Sequence, residues 1–86
     1  MFEWDEKKSE KNRNDRGFGF EKARELDWAN GVTQEDTRRD YGERRFRTFA
    51  RAYGYAYCVA WTPRNGKIRI ISMRGAHEKE ASRYGI

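Results

Sequence analysis

Arginine, tyrosine and glutamate are the side chains of this 86-residue chain that have the chemistry for a reaction. The candidates are Tyr41, Glu43, Arg45, Arg47, Arg51, Tyr53, Arg69, Arg74, Glu80, Arg83 and Tyr84. Guanidinium groups bind phosphate oxygens in a bidentate way, carboxylates and phenols move or orient protons, and aromatic rings stack on unpaired bases. This combination suits cleavage of an RNA phosphodiester bond without a metal ion, in which a 2′-hydroxyl attacks the phosphate and fixed cations stabilise the added charge.

Structural roles compete with this interpretation for each arginine. Taken singly, such a residue is more often exposed on the surface or part of an ion pair, and Glu43 and Glu80 are the nearby carboxylates. Arg69 and Arg74 are unusual because they accompany the apolar strand residues of Ile68 to Met73, and buried arginine is rare unless it is paired or serves a site. Either these two arginines pair with carboxylates, or one face of the sheet is open and basic.

Other reaction types lack the side chains that they need. One histidine, His77, and one cysteine, Cys58, are too few for the usual metal clusters, and nothing marks a nucleophile beside the histidine. We expect His77 to cap the last helix or to be solvated, and Cys58 to be an inert core residue with no disulfide partner. Gly17 and Gly19 lack the lysine and the preceding strand of a phosphate-binding loop. We therefore predict no metal site and no cofactor.

Charge is distributed unevenly along the chain. Residues 38–86 carry twelve basic and four acidic side chains, whereas residues 17–37 carry two basic and five acidic ones. A segregated basic half is expected of a protein that binds nucleic acid, although a solvated basic surface or one that meets an acidic protein has the same composition. No apolar stretch has the length of a membrane span and no signal peptide is evident, so we expect a cytoplasmic location.

The hydrophobic pattern predicts the elements that position these residues. We expect a short extended start at Phe2-Glu3-Trp4, and Asp5 can cap the segment that follows. In order, we then expect helices over residues 5–16 and 20–28, a short strand over 32–35, a charged loop over 36–42, strands over 44–52, 55–61 and 67–73, and a helix over 76–84. Tight turns at Tyr53-Gly54 and Asn65-Gly66 make the last three strands adjacent and antiparallel. We predict one domain, residues 1–86, of the α+β class, with two layers in which N-terminal helices pack on an antiparallel β-meander that a short C-terminal helix follows. The middle strand has an aromatic face and a small-residue face, and the pattern leaves open which of them is covered by core.

Three motifs of the sequence resemble the BrnT family of toxins. They are Phe2-Glu3-Trp4-Asp5, Tyr41-Gly42-Glu43-Arg44-Arg45 and Arg69-Ile70-Ile71-Ser72-Met73-Arg74. Further matching residues are Lys8, Asn12, Gly17, Phe20, Glu21, Ala23, Asp36, Thr37, Arg38, Glu80 and Tyr84. The resemblance runs in order through nearly the whole chain.

The resemblance implies a toxin of a type II toxin–antitoxin system. It implies a RelE-like fold and a metal-independent endoribonuclease that inhibits translation. It also implies a cognate BrnA-type antitoxin with a ribbon-helix-helix region, which neutralises the toxin. The complex, suggested to contain two copies of each protein, would bind operator DNA through the antitoxin and repress its own operon.

Residue roles follow from the matching motifs and the chemistry above. We expect Arg69 and Arg74 to bind the phosphate and the charge of the transition state, with Arg45 assisting. We expect Glu43 to orient Arg45, and Glu80 or Tyr84 to serve in proton transfer or orientation. The residues predicted to bind RNA are Tyr41, Arg47, Arg51 and Lys67.

Two other functions fit the same residues. The basic half and its aromatic residues equally suit a non-catalytic nucleic-acid-binding module, which would bind RNA with a steep salt dependence and leave it intact. They also suit a protein-interaction domain whose basic face meets an acidic partner. Both readings include a degenerate toxin that still binds its antitoxin.

Overall fold

Five strands and two α-helices make up the chain, which the computed structural model describes over residues 1–86. In chain order the elements are β1 (Phe2–Trp4), α1 (Glu6–Arg16), two 3₁₀ helices (Phe20–Glu25 and Trp28–Asn30), β2 (Val32–Glu35), β3 (Phe46–Ala52), β4 (Tyr55–Arg64), β5 (Lys67–Gly75) and α2 (Glu78–Arg83). The strands form one sheet in the order β1-β5-β4-β3-β2, in which only β1 and β5 are parallel. The predicted α+β class and antiparallel meander are confirmed.

Two hairpin turns set the register of the meander. Tyr53 and Gly54 both have positive φ, 52° and 85°, and so do Asn65 and Gly66, at 52° and 75°. Positive φ at both central residues is characteristic of type I′ turns, whose twist matches that of the strands on either side. The turns therefore hold β3, β4 and β5 in the pairing that decides which side chains share a face.

The N-terminal part of the chain differs from the prediction in two respects. The residues of β1 pair in parallel with β5, Phe2 opposite Ile68, whereas the sequence predicts only an extended start. The single helix predicted over residues 20–28 is wrong in type, because two 3₁₀ helices take its place. The helix breaks at Leu26, which is extended and buried, and the next amide, of Asp27, donates a 2.9 Å hydrogen bond to the carbonyl of Arg51. The amide of Asp27 is therefore hydrogen-bonded to β3, and the helix does not continue.

The hydrophobic core lies on the aromatic face of β4. Val59 packs there with Ile70 and Met73 of β5 and with Phe20 and Leu26 of the segment that crosses this face. Burying a side chain of this size contributes about 1.5–3 kcal/mol relative to leaving it exposed. This face therefore supplies most of the apolar stabilisation, and the choice left open by the sequence is settled.

The small-residue face of β4 is partly covered by α2. Ala81 of this helix is fully buried, and the ring of Tyr84, which follows it, stacks on Phe49 of β3 with centroids 4.0 Å apart. Ala56 and Cys58 of β4 are buried on the same face. Their small size lets a short helix approach the sheet closely.

Polar contacts rather than an apolar stripe hold α1. Asp5 caps it, as predicted, by accepting hydrogen bonds from the amides of Lys7 and Lys8. Gly17 ends it in the left-handed conformation, with φ 90°. None of the helices in the structure is both long and apolar enough to cross a membrane.

The two buried residues of α1 attach it to the segment that enters the core. The hydroxyl of Ser9 accepts a 2.8 Å hydrogen bond from the amide of Phe20, and the side-chain amide of Asn12 donates one of 2.9 Å to the carbonyl of Phe18. A helix that is otherwise charged is thereby fixed beside Phe20, a core residue.

Replacing Ser9 by alanine should lower the free energy of unfolding by about 1–3 kcal/mol, because the buried amide of Phe20 loses its acceptor. Ser82→Ala is the matched control, since Ser82 is exposed on α2 and should change stability by less than about 0.5 kcal/mol. Urea unfolding followed by circular dichroism measures both variants. Equal stability of the two variants would contradict the attachment described for α1.

Candidate functional site

Arginines occupy adjacent strands on the sheet face opposite the core. Arg47 of β3 lies opposite Ala60, and Arg74 of β5 lies opposite Cys58. Alternation of side chains along each strand places both on the small-residue face, together with Arg69. We call this surface, defined by Arg47, Arg69 and Arg74, the arginine face.

A β-bulge in β5 puts Arg69 and Arg74 on the same face. They are five positions apart, which in a regular strand would direct their side chains to opposite faces. A register shift at Ala60 and Trp61 leaves one extra residue in β5, so that Arg69 pairs with Thr62 and Arg74 with Cys58. The two arginines are separated by four positions of β4, or roughly 13 Å along the sheet at about 3.3 Å per residue.

Arg74 is held by the C-terminal helix. Its two terminal nitrogens donate hydrogen bonds of 2.9 Å each to the two carboxylate oxygens of Glu80. These hydrogen bonds lower the pKa of Glu80 to about 2 and raise that of Arg74. Glu80 is therefore a carboxylate at neutral pH and a weak base, which suits orienting Arg74 better than accepting a proton.

Arg69 is held by the first strand. Its guanidinium donates a 3.0 Å hydrogen bond to the carboxylate of Glu3 on β1, directly across the parallel pairing. Both alternatives that the sequence left open for Arg69 and Arg74 therefore apply. Both strand arginines pair with carboxylates, and their side chains remain roughly one-third exposed, 29% for Arg69 and 37% for Arg74.

The loop before β3 supplies a further cation. Arg45 donates a 3.0 Å hydrogen bond from Nε to Glu43, and its guanidinium lies 4.2 Å from the ring centre of Tyr41. Glu43 also lies 3.8 Å from Arg64 of β4. The predicted neighbours Glu43 and Arg45 are therefore in contact, with Tyr41 beside them.

Arg38 is a further loop arginine, to which the sequence assigned no role at the site. Its Nε and one terminal nitrogen each donate a 2.8 Å hydrogen bond to Asp36, whose side chain is only 5% exposed. These bonds hold the pKa of Asp36 well below its usual range, and the hydroxyl of Tyr41 donates a further bond of 3.0 Å. Hydrogen bonding to Glu80 is the main cause of the raised pKa of Arg74, and the positive charge of Arg38 is a smaller effect in the opposite direction. The spacing of Asp36 and Arg38 was the available signal, since an aspartate readily bonds the backbone two residues later.

The remaining predicted residues have different surroundings. Arg51 donates hydrogen bonds to Glu78 and to the carbonyls of Gly54 and Ile86, so its guanidinium is engaged in holding α2. Lys67 is exposed at the start of β5. The roles predicted for these two residues in binding RNA stay predictions.

His77 and Cys58 have the surroundings that the sequence suggested. His77 occupies the N-cap position of α2, is exposed, and makes no capping hydrogen bond with its side chain. Cys58 is buried beneath the arginine face, and burial raises the pKa of its thiol. No group of three or more histidine, cysteine, aspartate or glutamate side chains is arranged to hold a metal ion.

Comparison with known proteins identifies a family. Residues 4–80 match the family described as "Ribonuclease toxin, BrnT, of type II toxin-antitoxin system". No curated protein matches the chain. The matched range contains the loop arginines, the arginine face and Glu80, and it ends before Tyr84.

Replacing Arg74 by glutamine should return the pKa of Glu80 from about 2 toward its ordinary value of 4.5, because the guanidinium that stabilises the carboxylate is removed. In the wild type the folded-state pKa lies below the unfolded-state value. The contribution of Glu80 to stability is therefore present above about pH 4.5 and is lost as the pH falls toward 2.

A carbon-detected NMR titration of the glutamate carboxyl groups measures this change. Arg51→Gln is the matched control, because it should raise the pKa of Glu78 and leave that of Glu80 unchanged. A Glu80 carboxyl that titrates alike in the wild type and in Arg74→Gln would rule out the pairing as the cause.

Proposed function

Since the chain belongs to the BrnT family of ribonuclease toxins of type II toxin–antitoxin systems, we propose that it cleaves RNA at the arginine face without a metal ion. The observation that carries the proposal is Arg74, fixed by two hydrogen bonds to Glu80 on a partly open sheet face that also carries Arg47 and Arg69. Guanidinium groups there supply the positive charge that phosphoryl chemistry requires.

In the proposed reaction a 2′-hydroxyl of RNA attacks the adjacent phosphorus. The hydroxyl gives its proton to a base, the new bond forms between the 2′-oxygen and phosphorus, and the bond from phosphorus to the 5′-oxygen breaks. The leaving 5′-oxygen takes up a proton. The products are a 2′,3′-cyclic phosphate and a 5′-hydroxyl. Negative charge grows on the non-bridging oxygens in the transition state, and fixed cations lower its free energy.

The carboxylate partners prepare the arginines for this task. Arg69, Arg74 and Arg45 are each bonded to one glutamate, which holds the guanidinium in place before the substrate arrives. An arginine has five N–H donors, so a pair that uses one or two of them leaves others free for phosphate oxygens. We assign Arg74 and Arg69 to the phosphate charge and Arg45 to an assisting position, with Glu80 and Glu43 orienting Arg74 and Arg45.

Tyr84 is the residue that we assign to proton transfer. It is the C-cap residue of α2 and follows Glu80 by four positions, a spacing that places two side chains on the same side of a helix. Its ring is held against Phe49 at 4.0 Å, which fixes the position of the phenol. The depressed pKa of Glu80 makes that carboxylate the weaker candidate.

RNA outside the scissile bond is proposed to bind along the same face. Tyr41 offers a ring for base stacking, and Lys67 offers an exposed charge at the start of β5. Arg51 is assigned to holding α2, through Glu78, instead of binding RNA directly.

A type II toxin has an antitoxin partner. We propose that this partner is of the BrnA type, with a ribbon-helix-helix region, and that the complex represses its own operon. The proposed place of action is the cytoplasm, where RNA cleavage would inhibit translation. The strongly basic second half of the chain supports binding to RNA and to an acidic region of the antitoxin.

Purified wild-type protein should cleave a labelled RNA in the presence of EDTA and leave 2′,3′-cyclic phosphate ends. Arg74→Gln should reduce the rate by about 100-fold or more, because one fixed donor to the transition state is lost. Gel analysis of the fragments, with end-group mapping by mass spectrometry, measures both.

Arg24→Gln is the matched control. It removes the same charge from the other side of the sheet, where Arg24 lies over Trp4, and should cleave like the wild type. Loss of cleavage in EDTA that added magnesium restores would overturn metal independence. If the folded wild-type protein binds RNA and leaves it intact, the protein is a binding module and not a ribonuclease.

A further inference from the structure

Arg47 is the arginine of the arginine face that has no carboxylate partner. Arg69 and Arg74 are bonded to Glu3 and Glu80, and Arg45 in the adjoining loop is bonded to Glu43. The Nε of Arg47 is buried and has no hydrogen-bond acceptor at all. It is the only buried side-chain nitrogen or oxygen in the structure with this property.

The neighbours of Arg47 across the sheet are small. Arg47 lies on β3 opposite Ala60 of β4, which in turn lies opposite Ser72 of β5. The guanidinium of Arg47 lies 5.7 Å from the ring centre of Phe49, two positions further along β3. None of these neighbours accepts a hydrogen bond from Nε of Arg47.

Another cation lies close to the same position. Arg74 of β5 lies opposite Cys58, in the row of the sheet that also contains Phe49. Arg74 is balanced by Glu80, whereas Arg47 contributes a full uncompensated charge. The centre of the small-residue face is therefore net positive.

A buried donor without an acceptor is unfavourable for the folded protein alone. Native proteins satisfy nearly all buried polar groups, and an exception requires a reason, such as a ligand that supplies the missing acceptor. An arginine fork with a free Nε and a free terminal nitrogen matches two oxygens of a phosphate. The partner that fits Arg47 is therefore an anion with at least two oxygens, held above Ala60.

We propose that Arg47 binds the non-bridging oxygens of the RNA phosphodiester that is cleaved, with Arg74 beside the same phosphate. This inference rests on the proposed ribonuclease function and adds to it the residue that anchors the substrate. Arg74, held by Glu80, is placed for the charge of the transition state, and Arg47 supplies the unpaired charge that attracts the phosphate.

A phosphate-binding role and a structural role for Arg47 predict opposite changes in melting temperature when the residue is replaced. Replacing it by methionine, which is of similar length and apolar, removes an unpaired charge and an unsatisfied donor. The melting temperature of Arg47→Met should equal or exceed that of the wild type. An arginine that stabilises the fold would instead lower the melting temperature when removed.

Binding is measured with an RNA that carries 2′-O-methyl groups at every position, because it lacks the attacking hydroxyl and stays intact. Arg47→Met should weaken its binding by about tenfold or more and reduce the salt slope by about one unit. The RNA affinity of Arg47→Lys should lie between those of the wild type and Arg47→Met, since lysine restores the charge without the guanidinium fork. Arg24→Met, the matched control, should bind like the wild type. Inorganic phosphate should raise the melting temperature of the wild type and not that of Arg47→Met.

Two results would overturn the role of Arg47. One is unchanged RNA binding in Arg47→Met, and the other is a lower melting temperature in that variant. A cleavage assay of the wild type separates this inference from the proposed function. If Arg47→Met cleaves RNA as fast as the wild type, the role of Arg47 is rejected and the ribonuclease function stands. If the wild type leaves RNA intact but binds it in a way that depends on Arg47, the ribonuclease function is rejected and the phosphate site stands.

Discussion

Guanidinium charge on the inner strands of a small sheet has to be balanced, and carboxylates from the rest of the chain provide most of the balance. Glu3 on β1, Glu43 in the loop before β3 and Glu80 on α2 each bond to an arginine of the meander or its edge. Pairs that are this exposed contribute at most about 1 kcal/mol each to stability. Their larger effect is geometric, because they attach the outer elements to the sheet where the arginines lie.

The two faces of the sheet differ, because one buries apolar side chains and the other carries charge. Phe20, Val59 and Met73 are buried on one face, where apolar area supports the fold. The opposite face needs only Ala81 and the stacked ring of Tyr84 to seat α2, so it can carry charges that a core would exclude. A small domain with few apolar residues can therefore present a cationic surface without losing its core.

Local signals explain which parts of this structure were predictable from the sequence. Asn65-Gly66 and Asp5 act on their immediate neighbours, so the hairpin and the helix cap were predicted correctly. Glu3 and Arg69 meet across 66 positions of the chain, and the parallel pairing that joins them has no local pattern. The bulge in β5 also has no local sequence pattern, yet it places Arg69 and Arg74 on the same face. The pairing of Arg38 with Asp36 could be predicted from their spacing.

The proposed phosphate site is tested most directly by NMR of the arginine Nε–H groups during titration with a short 2′-O-methyl RNA. Assigned spectra report each guanidinium separately, so the arginine face and the core side are compared in a single experiment. We expect the largest shifts at Arg47 and Arg74, and none at Arg24, which lies over Trp4 on the other side. Shifts confined to Arg24 or to arginines of α1, with Arg47 and Arg74 unchanged, would contradict a phosphate site on the arginine face.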